Sequence, residues 1–296
     1  MTMLRFSMMM ICTICIGCAG TGMKKAATPP SLLWRVQVPD GTQSYVFGTI
    51  HVRDSSIFMQ RDSILILMQR CKDLYAELNL DSAASSLDPS AMMIPGGKTL
   101  KDLYSPADYD LIMKALKEKL GPMAVMADML KPAAIVALLS LDGMETTADQ
   151  GMDEFLWSEA RRRGLDGRSL ETVDEQLSAL DAMPNEMLTE FVKSMGEQDS
   201  SSKALLKAYI GEDLSSIDDQ MKELDAYGQF SAAINTRRNA RMADRLQAVM
   251  RSKPVFVAVG AAHLPGSKGL LAELRERGFL VSPVLGGRRL DIRTMK

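Results

Sequence analysis

The 296-residue sequence is poor in cysteine, in aromatic residues and in excess charge of either sign. It has four cysteines, 5% aromatic residues, and 35 Lys and Arg against 37 Asp and Glu, which gives a formal net charge of −2. Nucleic-acid-binding proteins usually carry a clear excess of positive charge, so we expect no nucleic-acid partner. The sequence also lacks the Gly-x-Ser-x-Gly and His-Glu-x-x-His motifs. The usual sequence support for a serine hydrolase or a zincin is therefore absent.

Histidine is scarce as well, and the two that are present share one sequence context. His51 lies in YVFGTIHV and His263 in VFVAVGAAHLPG, each three residues after a glycine, Gly48 or Gly260. Each motif follows an apolar run of β type, so each histidine is expected at the end of a strand. As neutral imidazoles, the two side chains can ligate a metal or act as acid and base near neutral pH.

The first residues have the layout of an export signal. A single basic residue precedes an apolar run over residues 6–17 that is too short to span a bilayer, so we interpret residues 1–17 as a signal peptide. The sequence CIGC, which ends at Cys18, resembles a bacterial lipoprotein cleavage box. We therefore expect Cys18 to be lipidated, residues 18–31 to be a tether, and residues 32–296 to form a domain held at the bacterial cell envelope, facing the periplasm or the cell surface. Secretion as a soluble protein is the alternative.

Strand and helix patterns occupy different parts of the chain. Segments of β type occur near both ends, at SLLWRVQVPDGTQSYVFGTIHV, DLYAELNLD and KPVFVAVGAAH, whereas helical patterns fill most of the middle. The Pro-Asp-Gly turn in the first segment predicts an antiparallel hairpin. We therefore predict an α/β fold whose central sheet is built from N-terminal and C-terminal strands, with helical insertions at about residues 82–165 and 175–250. Ligands of open α/β sheets bind beyond the carboxyl ends of strands, where both histidines are expected.

Charged residues at predicted strand ends and on one helix face are further candidates. Glu77 lies in or at the end of the strand DLYAELNLD; it either faces solvent or meets a cation, a metal or several donors, because burial of an unpaired carboxylate is costly. Glu171 follows a short predicted strand and is either part of the site or only the acidic start of a helix. In the helix containing TRRNARMADRL, Arg238 and Arg245 both fall on the apolar face and Asn239 on its border. A guanidinium on that face should pair with a carboxylate or face a bound anion.

Five stretches in a fixed order carry a resemblance to a known family. They are YVFGTIHV, AELN, GMDEFLWSEARRRGLDGRSLETVDEQL, TRRNARMADRL and VFVAVGAAHLPGSKGLLAELRERGF. Together they resemble the TraB/GumN family, which includes the TIKI proteins, and the likeness extends from about Leu33 to Val284. The resemblance implies an α/β fold similar to the erythromycin-esterase/ChaN-like group, with the two Gly-x-x-His motifs meeting at one site. It also implies metal-dependent protease activity, with manganese or cobalt as the common metal of the TIKI relatives.

The resemblance also assigns residues by motif. It gives His51, Glu77 and His263 as metal ligands and catalytic residues. Arg238 and Asn239 are then further catalytic residues that steady the substrate or an oxyanion. Supporting positions are Gly48, Gly260 and Glu171. The family often has an acidic residue after its Glu-Leu pair, where this chain has Asn79.

Three functions follow from these observations. The leading hypothesis is a metal-dependent hydrolase, peptidase-like, that works in the cell envelope on a peptide or another small hydrolysable substrate, with a divalent ion such as manganese, cobalt or zinc. The second is a hydrolase without metal, in which a histidine and Glu77 activate water. The third is a non-enzymatic, lipid-anchored protein that binds haem or a metal-bearing ligand.

Overall fold

The strands form one mixed sheet. The computed structural model describes residues 30–39, 41–59, 61–140, 146–195 and 198–284. In that part of the chain the six-stranded sheet has the order β4-β3-β5-β2-β1-β6. The strands are β1 (Leu33–Gln37), β2 (Gln43–Thr49), β3 (Asp73–Ala76), β4 (Asp166–Ser169), β5 (Val255–Gly260) and β6 (Leu280–Pro283).

The sheet is parallel except at β1. β5 lies between β2 and β3 and is parallel to both, and β3 is parallel to β4. β1 is antiparallel to β2, as the Pro-Asp-Gly turn predicted, and also to β6. Every residue of β5 is buried, in keeping with an apolar segment, VFVAVG, that is covered on both faces. The predicted α/β fold with a sheet from both ends of the chain is confirmed.

Helices occupy the regions between the strands. In chain order they are α1 (Arg61–Met68), α2 (Ala83–Ser86), α3 (Pro106–Leu120), α4 (Ala124–Ala127), α5 (Pro132–Ser140), α6 (Met152–Arg162), α7 (Val173–Leu180), α8 (Asn185–Lys193), α9 (Gln198–Ile210), α10 (Leu214–Lys222), α11 (Gln229–Ser231), α12 (Arg237–Ser252) and α13 (Leu270–Glu276). A π-helical turn, Ala232–Thr236, joins α11 to α12, and short 3-10 turns include Ser55–Phe58 and Ala261–His263.

Two hydrophobic cores hold these elements. The first lies around the sheet and includes residues of α1, α6, α12 and α13, such as Leu67, Leu156, Leu246 and Leu274. The second contains residues of helices from both predicted insertions, among them Ile112, Leu116, Ile135, Leu188 and Phe230. The helices before and after β4 therefore share a core, although they are far apart in the sequence.

The N-terminal predictions fall largely outside this structure. The predicted signal peptide, Cys18 and all but the last two residues of the predicted tether lie outside the described residues. Within the described ranges, no helix combines the length and the apolar character needed to cross a bilayer.

Candidate active site at the carboxyl ends of the strands

Strand order brings the two histidine motifs to one edge of the sheet. β2 and β5 are parallel neighbours, and Thr49 of β2 lies opposite Gly260 of β5. β3 is the neighbour of β5 on the other side, with Ala76 opposite Ala258, so that Glu77 follows at the same edge. Loops leave parallel strands at this edge, which is where ligands of α/β sheets bind. Two histidines 212 positions apart and the carboxylate thus come from three adjacent strands.

Gly48 allows the two motifs to pack closely. A Cβ atom at this position would lie 2.8 Å from Leu264 Cδ1, 3.0 Å from Ala261 Cα and 3.1 Å from Ala261 Cβ. Contacts this short with backbone cannot be relieved by a side-chain rotation alone. The end of β2 therefore lies directly against the turn that carries His263, and only glycine fits there without displacement.

His51 is held by a carboxylate from a distant helix. Its Nδ1 atom lies 2.9 Å from Asp153 Oδ2, and the two side chains are 11% and 10% exposed. The hydroxyl of Thr49 donates to the other Asp153 oxygen over 2.7 Å. Asp153 belongs to the first turn of α6. Acidic residues are common there because the positive end of the helix dipole stabilises their negative charge. For that reason its residue type gave no sign of a role at the site, and the sequence reasoning missed it.

His263 is more deeply buried and has a different partner. It lies in the 3-10 turn after β5 and its side chain is 2% exposed. Its Nδ1 atom lies 2.7 Å from Oδ1 of Asn239, on α12. The other ring nitrogen, Nε2, lies 3.7 Å from Glu77 Oε1. His263 therefore joins Asn239 to the carboxylate that follows β3.

Glu77 is an ionised carboxylate held by several donors. The backbone N–H of Gly260 donates to Oε1 over 2.7 Å, and Oε2 accepts from Arg238 over 2.6 Å and from Gln176 over 3.2 Å. Burial alone would raise the pKa of Glu77, but attraction to Arg238, His263 and His51 and the Gly260 N–H lower it to about 2. Of the two readings that the sequence left open, the structure supports the one in which Glu77 meets a cation and several donors.

Arg238 is the arginine on the inner face of α12. It is 1% exposed, and its guanidinium donates to both oxygens of Glu171 over 2.6–3.1 Å and to Glu77. The expectation that an arginine on this face pairs with a carboxylate is confirmed. Arg245, which the helical pattern could not distinguish from Arg238, is 40% exposed and pairs with Glu175.

The predicted contact of Arg238 and Asn239 with substrate needs revision. Both residues are only 1% exposed. Besides the two carboxylates, Arg238 donates to the carbonyl of Ile234, and Asn239 donates to Lys268 O and Asn235 Oδ1. Their polar atoms are thus used inside the protein, and we interpret both as positioning residues. Glu171, which is fully buried, serves the same network.

The backbone before α12 contributes to this arrangement. The π-helical turn Ala232–Thr236 contains both Ile234 and Asn235, which accept from Arg238 and Asn239. Single π turns within helices are frequent at functional sites. The turn therefore supplies acceptors to the two side chains that contact Glu77 and His263.

The donor chemistry of the site fits a divalent ion. Both imidazoles meet their partners through Nδ1, so Nε2 is the atom of each ring that can be a ligand, and the Glu77 carboxylate is ionised. Among the residues that the structure describes, however, no three His, Cys, Asp or Glu side chains are grouped closely enough to hold an ion. Ion binding therefore requires the three predicted ligands to move closer together than they are here.

Comparison with known proteins gives a family match and two similar proteins. The profile of the TraB/PrgY/gumN family matches residues 32–283. The chain is similar to Metalloprotease TIKI1 of Danio rerio, with 23% identity over an alignment 327 positions long, gaps included, that covers 89% of this chain and 65% of that protein. It is also similar to Metalloprotease TIKI2 of Danio rerio, with 24% identity over an alignment of 314 positions that covers 85% of this chain and 60% of that protein. The chain thus spans less than two thirds of the length of these relatives.

No solved structure gives a significant match to the chain. The family match, in contrast, includes all six strands and every residue of the candidate site. The chain therefore belongs to the TraB/PrgY/gumN family.

Proposed function

We propose that the protein is a metal-dependent hydrolase, peptidase-like, with its active site at His51, His263 and Glu77. The proposal is supported by the strand order, which brings the two histidine motifs and an ionised carboxylate to one edge of the sheet, at the ends of three adjacent strands. Nδ1 of His263 is hydrogen-bonded to Oδ1 of Asn239, and Oδ2 of Asp153 lies 2.9 Å from Nδ1 of His51. Metal-binding histidines usually have an oxygen partner on the second ring nitrogen. The printed names of the two zebrafish relatives, which are called metalloproteases, support the same reaction class.

In this proposal His51, His263 and Glu77 hold the ion, for which manganese, cobalt and zinc are the candidates. A bound divalent ion would polarise the carbonyl of the substrate and lower the pKa of a bound water. A second residue orients each ligand: Asp153 contacts His51, Asn239 contacts His263, and Arg238 contacts Glu77.

The electrostatics of the site limit the task of Glu77. A general base works best when its pKa is close to the working pH. The pKa of Glu77, about 2, is too low for that task at neutral pH. Glu77 is therefore assigned to charge and ligation rather than to proton transfer.

The proposal places the protein in the bacterial cell envelope, attached through a lipid on Cys18. The substrate would be a peptide or another small hydrolysable molecule that reaches the outer side of the membrane. Labelling with a radioactive fatty acid tests the anchor: label on the parent and none on a Cys18→Ser variant is expected, whereas equal label on both would contradict it.

Hydrolysis is tested with a peptide library and the full-length protein. We expect cleavage in the presence of Mn²⁺, Co²⁺ or Zn²⁺, loss of cleavage with a chelator, and loss in His51→Ala and His263→Ala variants. Arg245→Met, which changes an exposed ion pair on α12, is the control and should keep activity. Cleavage that resists the chelator would favour the metal-free hydrolase. No cleavage together with a ligand-derived absorbance band would favour the haem-binding or metal-binding protein.

A further inference from the structure

The amide of Asn239 has a fixed orientation. Its Nδ2 atom donates to the backbone carbonyl of Lys268 and to Oδ1 of Asn235, both over 2.8 Å. The Lys268 oxygen can only accept a hydrogen bond, so a flipped amide would bring two acceptors together. Because an amide nitrogen has two hydrogens and both have acceptors, the Asn239 nitrogen has none left for His263.

The orientation of Asn239 decides which nitrogen of His263 carries the proton. The atom that faces His263 Nδ1, at 2.7 Å, is Oδ1 of Asn239, which can only accept. The hydrogen bond therefore requires a proton on Nδ1. A neutral ring protonated there has its lone pair on Nε2, the atom that lies 3.7 Å from Glu77 Oε1.

We propose that Asn239 is a positioning residue that holds His263 as the neutral tautomer protonated on Nδ1, so that Nε2 is presented at the candidate active site. Only the identity of what Nε2 meets, an ion or a substrate proton, rests on the proposed function. The tautomer itself follows from the contacts of Asn239 and is independent of any reaction.

The three partners of Asn239 explain why an amide stands at this position. An aspartate would accept from His263 but would lack the donors that Lys268 O and Asn235 Oδ1 require. It would also add a negative charge on one side of the His263 ring while the carboxylate of Glu77 lies on the other side. Leucine has a similar size but provides neither donor nor acceptor. Each replacement therefore removes a different part of the function of the side chain.

Nitrogen-15 NMR of histidine side chains tests the proposal directly. The chain has only two histidines, so two ring systems are expected in the full-length protein labelled with ¹⁵N-histidine, and a His51→Gln variant assigns them. Spectra are recorded without metal and at alkaline pH. We expect His263 of the parent to be protonated on Nδ1 and unprotonated on Nε2.

Two variants distinguish a change in the tautomer of His263 from a general loss of structure. Asn239→Leu removes the acceptor and should shift the tautomer ratio of His263 toward Nε2–H by about fivefold or more, as expected for loss of one buried hydrogen bond. Asn235→Ala removes a partner of the amide nitrogen but leaves the Lys268 carbonyl and the contact with His263, so its ratio should match the parent.

A proton on Nε2 of His263 in the parent would overturn the proposal, and this result needs no variant to fold. An unchanged ratio in a folded Asn239→Leu variant would overturn it as well. The result is independent of catalysis: a parent with the Nδ1–H tautomer but without hydrolytic activity contradicts the proposed function and leaves the role of Asn239 intact.

Discussion

The two histidine segments are alike in sequence but differ in their surroundings. Both histidines end a Gly-x-x-His pattern that lies at the end of a parallel strand. The side chain of His51 is 11% exposed, however, and that of His263 only 2%. Asp153, a carboxylate from α6, lies against His51, whereas Asn239, a neutral amide from α12, lies against His263. The same short motif is thus combined with two different electrostatic partners from distant parts of the chain.

This difference suggests separate tasks for the two rings. A carboxylate behind an imidazole increases the basicity of the other ring nitrogen, while a neutral amide fixes the tautomer without adding charge. The His263 side also contains the buried ion pair of Arg238 with Glu171, which extends to the partly buried Glu77, so it is the more rigidly held half. We therefore expect changes on that side to cost more stability than changes around His51.

Arg238→Met should have the largest effect. It leaves the carboxylates of Glu77 and Glu171 without their shared guanidinium, and removal of one partner from a buried ion pair costs about 3–5 kcal/mol. Denaturant unfolding measures the loss. Arg245→Met on the same helix removes an exposed pair and should cost about 1 kcal/mol or less. Equal losses for the two variants would contradict the buried network.

The acid stability of the protein should depend on Glu77. Its pKa in the folded protein, about 2, lies below the ordinary value of 4.5, so its stabilising effect is complete above about pH 4.5 and is lost as the pH falls through about 2. Between pH 5 and pH 3 this carboxyl should account for about 2 kcal/mol of the decrease in unfolding free energy. A Glu77→Gln variant should show a shallower decrease over that range. Parallel curves for parent and variant would show that Glu77 is not held ionised.

Asp153→Asn tests the surroundings of His51. It keeps the size of the side chain but removes the charge next to His51, and loss of such a partner lowers metal affinity by about 10–100-fold. Titration with Zn²⁺ or Mn²⁺ measures the affinity. Glu154→Gln is the matched control, since Glu154 lies beside Asp153 on α6 but contacts Arg53 and the backbone of Gly151. An equal loss in the control would argue against a specific role for Asp153.

Gly48→Ala should have a smaller effect on stability than Arg238→Met. The added methyl group would press on Leu264 and on the backbone of Ala261, and overpacking of this kind costs about 1–2 kcal/mol. Because the contact lies between the two histidine segments, metal affinity should fall as well. Gly41→Ala in the β1–β2 turn has no atoms near its Cβ position, although its φ of +109° adds backbone strain. A similar loss of stability with unchanged metal affinity in both variants would contradict the packing role of Gly48.

The sequence predicted the sheet better than the ends of its elements. Apolar segments and the Pro-Asp-Gly turn located the hairpin and β5 correctly because these signals are local. The helical pattern of IFMQRDSILILMQRC, for example, does not show where the helix begins: its first two residues lie in the 3-10 turn Ser55–Phe58, and α1 begins only at Arg61. β3 ends at Ala76, so Glu77 lies just beyond the strand. Such end points depend on tertiary contacts that a local pattern does not contain.

The candidate site, too, could be predicted from the sequence only in part. Two histidines in matching contexts and a carboxylate at a strand end were visible in the sequence, and the strand order brings them to one edge of the sheet. The role of Asp153 was not visible, because an acidic residue in the first turn of a helix is ordinary. The helical pattern placed Arg238 and Arg245 on one face, and only the position of Glu171 and Glu77 distinguishes them.

The metal content of the full-length protein tests the central claim most directly. The protein is purified without chelator and without a histidine tag, beside a His51→Ala, His263→Ala double variant, and both are incubated with Mn²⁺, Co²⁺ or Zn²⁺ before analysis. A stoichiometric divalent ion is expected in the parent and none in the double variant. No bound ion in either protein, or the same content in both, would contradict a metal site built from the two histidines.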